Sequence, residues 1–411
     1  MYFYLQLSYC WEANFNMKLL VICQYYYPEP FRISDICESL VEKGHHVTVI
    51  TGLPNYPEGI VPDNYKNRKN REEIINGVNV IRSFEIGRGS NKVTLFLNYF
   101  SFALSASIKT LFMKEKFDTV LVNQLSPIIM AIPAMVYKKK HHKKILLYCL
   151  DIWPASLTAG GIKEGSPIYK FFLYISKWIY NSADRVAVSS DMFINYFRET
   201  IEIKTDSIFH LPQYAENLFT EKIEVHRHNH FNFVFAGNIG EMQSVETIVR
   251  AAYELSNHAT ITFHIIGDGS KLEECKRLSE KLKLRNIIFY GRKPLSEMPK
   301  YYSLADAMLI TLKDDHTISS TLPGKVQSYM ASGKPIIGAI NGETNQIIKE
   351  AQCGLCCEAE NYKELANLVL QFCENSEKDQ MAINSYDYYC KNYSKERFLS
   401  VLEEALIKME V

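Results

Sequence analysis

The sequence predicts an α/β protein made of two doubly wound domains, each a parallel sheet with helices on both faces. Three observations support this fold class. Short runs that are apolar throughout alternate with amphipathic segments of helix length, which is typical of parallel strands joined by helical crossovers. The alternation stops over residues 215–230 and then begins again. The length of 411 residues suits two domains, at roughly 150 residues or more for each.

The first domain, predicted over residues 17–214, follows this alternation in order. Apolar runs predict strands at residues 18–23, 46–51, 78–82, 119–123, 145–150 and 185–188. The segments between them predict helices at residues 31–43, 93–113, 127–139 and 168–181. Residues 1–16 have neither the basic start nor the long apolar stretch of a signal peptide. Because a second methionine, Met17, directly precedes the first strand, we expect residues 1–16 to be an extension outside the fold.

The second domain, predicted over residues 231–376, repeats the pattern. Its predicted strands are residues 231–236, 261–266, 286–290, 307–311, 335–339 and 354–358, and its predicted helices are residues 247–255, 271–281, 322–331 and 362–373. The polar stretch 215–230 predicts an exposed linker. Residues 377–411 have a helical pattern with no strand after them, so we expect them to cross back to the first domain. Two such domains are expected to face each other across a ligand cleft.

Charge and composition exclude several classes of function. Lys plus Arg and Asp plus Glu number 46 each, so the formal net charge is zero and the chain lacks the basic field of most nucleic-acid-binding proteins. An anionic partner must therefore be held by a few donors within one site. Ten cysteines are too few for a disulfide scaffold in a chain of this size and suit a reducing cytoplasm.

Two clusters raise the alternative of a metal site. One is formed by Cys353, Cys356 and Cys357, and the other by the His-rich run at residues 226–230. No second cysteine pair at zinc spacing accompanies the first cluster, and the second lies in the predicted linker. We therefore predict no metal and no resident cofactor.

Glycine-rich turns in the second domain are candidate phosphate sites. Gly237 and Gly240 lie between a predicted strand and a helix, and Gly267 and Gly269 lie in a similar place. Glycines there let backbone amides approach a phosphate at the helix N-terminus, although an ordinary tight turn explains each pair equally well. Neither turn is GxGxxG and the chain contains no GxxxxGK[ST], so dinucleotide redox chemistry and P-loop hydrolysis lose support.

A lysine in the first turn of a helix is the more specific signal. The segment 321–326 (TLPGKV) opens a helix that ends in ASGKP at residues 331–335. Pro323 suits the start of this helix, and Lys325 would lie beside free backbone amides. The alternative is an ordinary surface lysine. We interpret the segment as an anion site.

Polar and aromatic side chains follow several strands of the first domain. Asp151 stands where the strand 145–150 ends, the position at which parallel sheets place active-site groups, and Trp153 could stack on a sugar or simply pack. The neighbouring strand ends in NQLSP at residues 123–127. The first strand leads into residues 25–30 (YYYPEP) and Arg32, and the second into residues 52–59 (GLPNYPEG).

With these motifs the chain resembles the retaining nucleotide-sugar glycosyltransferases of family 4, which have the GT-B fold of two Rossmann-like domains. The resemblance runs from Met17 to about Tyr393 and rests on the order of YYYPEP with Arg32, GLPNYPEG, DIWP, GNIG, IIGDGS, the LPGKV–ASGKPI pair and CGLCCEAEN. The most similar branch builds O-antigen, capsule and colanic-acid repeat units. It includes fucosamine-type enzymes, which move an N-acetylated amino sugar such as N-acetylfucosamine.

The resemblance implies transfer with retention and without metal, from a nucleotide-diphosphate sugar, UDP-linked, held by the second domain. Asp151, beside the donor sugar, and Lys325, at the departing diphosphate, would be the catalytic residues. The other implied diphosphate contacts are Gly237, Asn238, Gly240 and Arg292. The implied contacts to the donor sugar or nucleoside are Gly267, Ser328 and Glu343. The implied acceptor contacts in the first domain are Tyr27, Arg32, Asn55, Tyr56 and Trp153.

The chain departs from the family pattern at four positions. Many members carry an Arg and a Lys after the GNIG turn, where this chain has Asn238 and Gln243. A pair of glutamates eight residues apart is replaced by Ser320 and Ser328. The residue that binds the ribose is therefore not assigned, and more of the phosphate charge would fall on Lys325.

The first domain also predicts contact with the inner face of a bacterial plasma membrane. Residues 138–144 (KKKHHKK) are basic, and the predicted helices 93–113 and 168–181 are apolar and aromatic. Cations beside such helices suit an anionic leaflet, where an undecaprenyl-diphosphate-linked saccharide acceptor would be presented. A solvated loop is the alternative for the basic run. The sequence does not decide between a monomer and a homo- or hetero-oligomer.

Two other functions fit the same fold. A nucleotide-sugar epimerase needs an acid–base set with His and Glu in the second domain, which the motifs do not supply. A non-catalytic partner subunit would explain the replaced glutamates. We therefore predict a glycosyltransferase and keep these two as alternatives.

Overall fold

The structure is a computed structural model that describes residues 16–89, 91–158, 161–219, 230–315, 319 and 321–410. The chain divides into two compact units. The first contains the residues up to Val188, Ile194–His210 and the chain from Leu399 onward, and the second contains Ser189–Phe193 and Leu211–Phe398. The short segment Ser189–Phe193 thus belongs to the second unit, unlike in the predicted domain bounds. The extension predicted at residues 1–16 lies almost entirely outside the described residues.

The first unit is built on an eight-stranded sheet. Its strands are β1 Lys18–Ile22, β2 His46–Thr51, β3 Glu72–Ile75, β4 Val78–Arg82, β5 Thr119–Gln124, β6 Lys144–Cys149, β7 Arg185–Val188 and β8 Ile208–His210. The strand order is β3-β4-β2-β1-β5-β6-β7-β8, and neighbours are parallel except β3 and β4. The central strand β1 is buried apart from its first residue, which explains its continuous apolar sequence.

The second unit is built on a six-stranded, wholly parallel sheet. Its strands are β9 Phe231–Ala236, β10 Ile261–Ile266, β11 Ile287–Gly291, β12 Ala307–Thr311, β13 Ile336–Ala339 and β14 Gly354–Cys357, in the order β11-β10-β9-β12-β13-β14. Alternate residues of β9 face two separate cores: Phe233 and Phe235 pack on one side, and Val234 and Ala236 on the other. Both faces of the sheet are therefore covered.

Helices connect these strands. In chain order they are α1 Ile33–Glu42, α2 Lys92–Phe112, α3 Ile132–His141, α4 Pro167–Ser182, α5 Met192–Tyr196, α6 Val245–Glu254, α7 Leu272–Lys281, α8 Met298–Leu304, α9 Gly324–Ala331, α10 Glu343–Glu350, α11 Tyr362–Glu374, α12 Lys378–Asn392 and α13 Lys395–Glu410. The doubly wound α/β class predicted from the sequence is confirmed. Each predicted strand is present with ends shifted by at most one or two residues.

The sequence does not predict β3, β8, α5, α8 or α10. β3 is an edge strand whose residues alternate between exposed and half-buried, so it has no apolar run. Its neighbour β4 pairs with it in antiparallel fashion through a tight turn at Asn76 and Gly77, both with positive φ.

The start of the predicted linker is not exposed. Ala215 and Phe219 are buried in the core of the second unit, and the Phe219 ring stacks on Tyr302 with centroids 4.6 Å apart. Residues 215–219 therefore belong to that unit. Residues 220–229, with most of the His-rich run, lie outside the described residues.

Candidate active site

The two glycine turns of the second unit are fastened to each other. The Gly237 N–H donates to the Ile266 carbonyl (2.9 Å), and the Ile239 N–H donates to the Asp268 carbonyl (2.8 Å). Gly267 has φ +142°, and a Cβ there would lie 1.8 Å from the Gly237 carbonyl oxygen. Only glycine permits this approach. The sequence-predicted Gly237 and Gly267 therefore form one rigid edge at the ends of β9 and β10.

Lys325 reaches this edge from α9. Pro323 directly precedes the helix, and Lys325 is its second residue. The ammonium lies 4.0 Å from the centroid of the Phe235 ring, and a Cβ built on Gly237 would be 2.9 Å from Lys325 Nζ. Among the described residues, no hydrogen-bond partner contacts this Nζ, which is shielded from solvent. The structure thus brings Lys325 next to the Gly237 turn. Both were candidate phosphate-binding groups in the sequence.

Burial changes the protonation of this lysine. Desolvation lowers the pKa of Lys325 to about 7. A cation without a partner and without water is unfavourable, so an anion that restores its interactions would bind strongly and raise the pKa again. The N-terminal amides of α9 add positive potential at the same place.

The turn between Gly237 and α6 is held by neutral side chains. The Asn238 Nδ2 and the Gly240 N–H both donate to Gln243 Oε1, each at 3.2 Å. Asn238 is exposed, whereas the Gly240 amide is engaged within its own turn. To contact a diphosphate as predicted, the Gly240 N–H would have to give up its hydrogen bond to Gln243.

Two lysines near Gly240, Lys271 and Lys313, already form ion pairs with a glutamate. A cavity of about 450 Å³ lies beside Gly240, and its walls include Lys271 and Lys313. Both ammonium groups pair with Glu241, at 2.9 Å for Lys271, and these bonds lower the pKa of Glu241 to about 2. Arg292, a predicted diphosphate contact, is exposed directly after β11, whose Gly291 carbonyl accepts from the Gly267 N–H (3.0 Å).

Ser328 stands one turn along α9 and is bonded to a carboxylate. Its Oγ donates to Glu216 Oε2 (2.7 Å). Glu216 comes from the segment predicted as linker, so sequence reasoning could not have placed it here. A carboxylate therefore reaches the position at which the family pattern has a glutamate and this chain has a serine. Ser320, the other replaced position, lies outside the described residues.

Glu343 is occupied by contacts within the second unit. Its carboxylate accepts hydrogen bonds from the Ser190 hydroxyl, the Asp191 N–H (3.1 Å) and the Met192 N–H (3.2 Å). It is 4% exposed. The predicted donor contact of Glu343 would have to displace these bonds, which fasten Ser189–Phe193 to α10.

In the first unit, Asp151 follows β6 as predicted. Each carboxylate oxygen accepts a hydrogen bond, Oδ2 from the Ser126 hydroxyl and Oδ1 from the Ser156 hydroxyl. Burial raises the pKa of Asp151, and the two hydroxyls oppose this in part. The side chain is therefore held in one orientation at the carboxyl end of the sheet.

Trp153 does not offer a ring face to a ligand. It is 6% exposed, and its ring packs edge-on against Phe172 with centroids 5.3 Å apart. Its indole N–H donates to the Ser126 hydroxyl (2.7 Å), which in turn bonds Asp151. The predicted acceptor contact is thus corrected: Trp153 positions Ser126 and Asp151 because its ring is needed in the core.

The remaining predicted acceptor residues differ in exposure. Tyr27 and Tyr56 are 48% and 38% exposed, so both can meet a ligand. Arg32 is half-buried immediately before α1. Asn55 is 2% exposed, and its amide bonds the Leu53 carbonyl and the Arg88 N–H. The prediction for Asn55 is corrected, because its side chain serves to shape the loop.

Two buried glutamates near this loop were not predicted as site residues. Glu29 accepts from the Asn55 N–H (2.9 Å) and the Tyr56 N–H (2.7 Å), which joins the YYYPEP and GLPNYPEG loops. Glu85 Oε1 accepts from the side-chain amides of Gln24 and Asn98, each at 2.6 Å. Glu29 belongs to a motif visible in the sequence, whereas nothing local marks Glu85 or Asn98.

The described residues contain no cluster of three His, Cys, Asp or Glu side chains suited to a metal ion. Cys353 and Cys357 are buried, and their thiols donate to the carbonyls of Ile348 (3.8 Å) and Gly338 (3.6 Å). These cysteines serve as small core side chains.

Two family models match the chain. Residues 32–213 match the model of Glycosyltransferase Family 4, and residues 218–387 match that of Glycosyl transferases group 1. WbjE of Pseudomonas aeruginosa, which is named as a glycosyltransferase, is 26% identical over 261 residues. The match covers 60% of this chain and 64% of that protein, so the chain spans less than two thirds of that relative's length. WcaI of Escherichia coli K12, named as a colanic acid biosynthesis glycosyl transferase, is 24% identical over 77% of this chain and 82% of its own.

Solved structures share the fold. Sucrose-phosphate synthase from Thermosynechococcus elongatus has a TM-score of 0.74 at 14% identity, over 96% of this chain and 99% of that chain. Alr3699/HepE from Anabaena, solved with UDP-glucose, has a TM-score of 0.68 at 13% identity, over 96% of this chain and all of that chain.

Fold and family matches together define an enzyme that transfers glycosyl groups, with the GT-B fold. Each half of the chain therefore matches a glycosyltransferase family model, Glycosyltransferase Family 4 in the first half and Glycosyl transferases group 1 in the second. The enzyme class predicted from the sequence, a glycosyltransferase, is confirmed.

Proposed function

We propose that this protein transfers a sugar from a UDP-sugar to a lipid-linked saccharide in the biosynthesis of a bacterial surface polysaccharide, with retention and without a metal ion. The observation that carries the proposal is Lys325. Its desolvated ammonium has no partner among the described residues and lies beside Gly237 at the start of α9. A diphosphate supplies the anion that this position needs.

The donor class is supported by a structural relative and by net charge. Alr3699/HepE shares the fold and was solved with UDP-glucose. A chain with no net charge has no general attraction for anions, so a local cation without a partner indicates one specific anionic ligand. The proposal for the product is supported by WcaI, which is named for colanic acid biosynthesis.

The chemistry assigns one task to each unit. The bond between the anomeric carbon and the diphosphate oxygen breaks and leaves its electron pair on that oxygen. The acceptor hydroxyl oxygen bonds to the anomeric carbon, and its proton passes to the departing diphosphate. Lys325 and the α9 amides stabilise the negative charge that builds up on the departing diphosphate. Asp151, oriented by Ser126 and Ser156, would contact a sugar hydroxyl or stabilise positive charge at the anomeric carbon.

The test is a transfer assay with a panel of UDP- and GDP-sugars and an undecaprenyl-diphosphate-linked saccharide, with and without EDTA. We expect product from a UDP-sugar, an anomeric configuration equal to that of the donor by NMR, and no loss with EDTA. Product formed only from GDP-sugars would overturn the UDP donor. An inverted anomer would overturn retention, and loss of activity with EDTA would overturn transfer without a metal ion. An N-acetylated amino sugar such as N-acetylfucosamine is the first donor to try.

A further inference from the structure

The outer side of α2 is a largely apolar surface in the first unit. Leu104 is 66% exposed and Phe112 is 74% exposed. The exposed apolar side chains recur at helical spacing and share one side of the helix: Val93, Phe96, Leu97, Phe100, Leu104, Ile108, Leu111 and Phe112. Water contact with so large an apolar area is unfavourable, which indicates a partner.

The opposite side of α2 is fixed to the unit. Asn98, Phe102, Ala106 and Thr110 are buried and recur every fourth residue. The Asn98 amide donates to Glu85 Oε1 (2.6 Å) and to the Ile86 carbonyl (2.7 Å). The helix is long and apolar enough to cross a membrane, yet this buried amide network holds its other side against the segment that follows β4. The helix therefore suits a position parallel to a surface rather than across one.

Further apolar groups lie on α4. α3 packs against both α2 and α4, so the three helices adjoin. On α4 the exposed side chains are aromatic or aliphatic: Ile168, Phe171, Tyr174 and Trp178. Aromatic rings with polar edges are favoured at the boundary between lipid and water.

Positive charge borders the same area. Lys140 donates to the carbonyl oxygens of Leu111 (2.6 Å) and Met113 (2.8 Å), so the basic run meets the end of α2. Lys139, next to Lys140 in the chain, and Lys144, the first residue of β6, are exposed as well. A protein partner of neutral or basic character would not match this border, whereas anionic headgroups would.

We propose that the exposed sides of α2 and α4, with Lys139 and Lys144, lie in the interface of an anionic bilayer. The apolar side chains would enter the headgroup region and the lysines would contact lipid phosphates. The inference rests on the proposed function in one respect: membrane binding would bring the enzyme to the lipid-linked acceptor proposed above.

The experiment is flotation of the full chain with two kinds of vesicle, phosphatidylcholine alone and phosphatidylcholine with phosphatidylglycerol. We expect binding to the anionic vesicles that weakens at high salt. Leu104→Glu should weaken it by about tenfold or more, because a charge replaces an inserted apolar group. Lys139→Glu combined with Lys144→Glu should reduce the preference for anionic vesicles. Ile383→Glu, at a 41% exposed position on α12, is the matched control and should bind as the wild type does.

Failure of wild-type binding, or equal binding by Leu104→Glu, would overturn the inference. A wild-type dimer that Leu104→Glu converts to monomer in light scattering would instead identify a second copy as the partner. Folding of each variant is checked by circular dichroism and by its thermal unfolding midpoint. Transfer to a water-soluble acceptor without vesicle binding rejects only this inference, and vesicle binding without transfer to any acceptor rejects only the proposed function.

Discussion

Glu85 lies in the interior of the first unit with one carboxylate oxygen bonded and the other without a partner among the described residues. Oε1 accepts from Gln24 and Asn98, and Oε2 accepts from neither. Burial raises the pKa of Glu85 well above its usual range. Burial therefore favours the protonated, neutral acid, with Oε2 the oxygen that can carry the proton.

A neutral Glu85 predicts an asymmetry between two substitutions. Glu85→Gln keeps the shape and the acceptor oxygen, so the free energy of unfolding should change by less than about 1 kcal/mol. Glu85→Ala removes one acceptor from each of two buried amides and leaves a cavity, so it should cost about 2–4 kcal/mol. Urea unfolding at neutral pH measures both. A large loss with Glu85→Gln would show that the group is ionised.

Glu29 predicts a pH dependence of stability. Burial raises the pKa of Glu29 from 4.5 to about 7, although three backbone amides oppose the shift. Between these values the folded protein binds more protons at Glu29 than the unfolded chain does. Its contribution to stability is therefore complete below pH 4.5 and is lost as the pH rises through about 7.

Urea unfolding at a series of pH values compares Glu29→Gln with the wild type. The variant should show a flatter profile in this range, by up to about 1.4 kcal/mol per pH unit. Profiles of equal slope would contradict the assignment.

Among individual residues, the sequence predicted the positions of Lys325 and Asp151. Both lie near the carboxyl ends of parallel strands, where such sheets bind ligands. It misjudged Trp153 and Asn55. The burial of Trp153 depends on Phe172, and that of Asn55 on contacts with Arg88 and Asn98, which only folding brings together. Glu216 reaches Ser328 across 112 positions, which no local pattern can indicate.

Among the elements, the paired glycine turns decide the geometry of the donor site. Gly267→Ala would place a Cβ 1.8 Å from a backbone oxygen of the GNIG turn, so the turns must separate. We expect a loss of more than about 3 kcal/mol in the free energy of unfolding, together with weaker UDP binding. Gly291→Ala is the matched control: φ is +69° and nothing lies within 4 Å, so only about 1–2 kcal/mol of backbone strain is expected. Equal effects of the two would show that packing of the turns is unimportant.

The core strands were easier to predict than the edge strand β3 and the helix α10. The core strands β1, β5, β6, β9 and β12 are almost entirely buried and are mostly apolar. β3 is half exposed at an edge, and α10 starts at Glu343, whose partners lie far back in the sequence. Elements that depend on distant partners leave no periodic pattern.

For the whole molecule, the end of the chain is part of the first unit. Leu402, Leu406 and Met409 on α13 are buried, and Glu403 bonds Lys43 (2.8 Å) and His45 (3.0 Å). Deleting residues 399–411 removes this packing. We expect a loss of about 5 kcal/mol or more and faster proteolysis within the first unit.

Glu403→Gln is the control for the deletion and should change stability by less than about 1 kcal/mol, because the ion pair is partly exposed. A truncated chain whose first unit resists protease as the wild type does would contradict the packing described here. The sequence predicted that the tail crosses back. It did not show that Lys395–Phe398 stays with the second unit, because that depends on contacts such as Phe398 with Tyr214.

The central claim is that Lys325 binds the diphosphate of the donor. Titration calorimetry of UDP and uridine against the wild type and Lys325→Met tests it most directly. Methionine fills the space over Phe235 without a charge, and because it removes a buried cation it should not lower stability. The account predicts that the variant binds UDP about 10- to 100-fold more weakly while its affinity for uridine is unchanged. Equal affinity of the two proteins for UDP would contradict it.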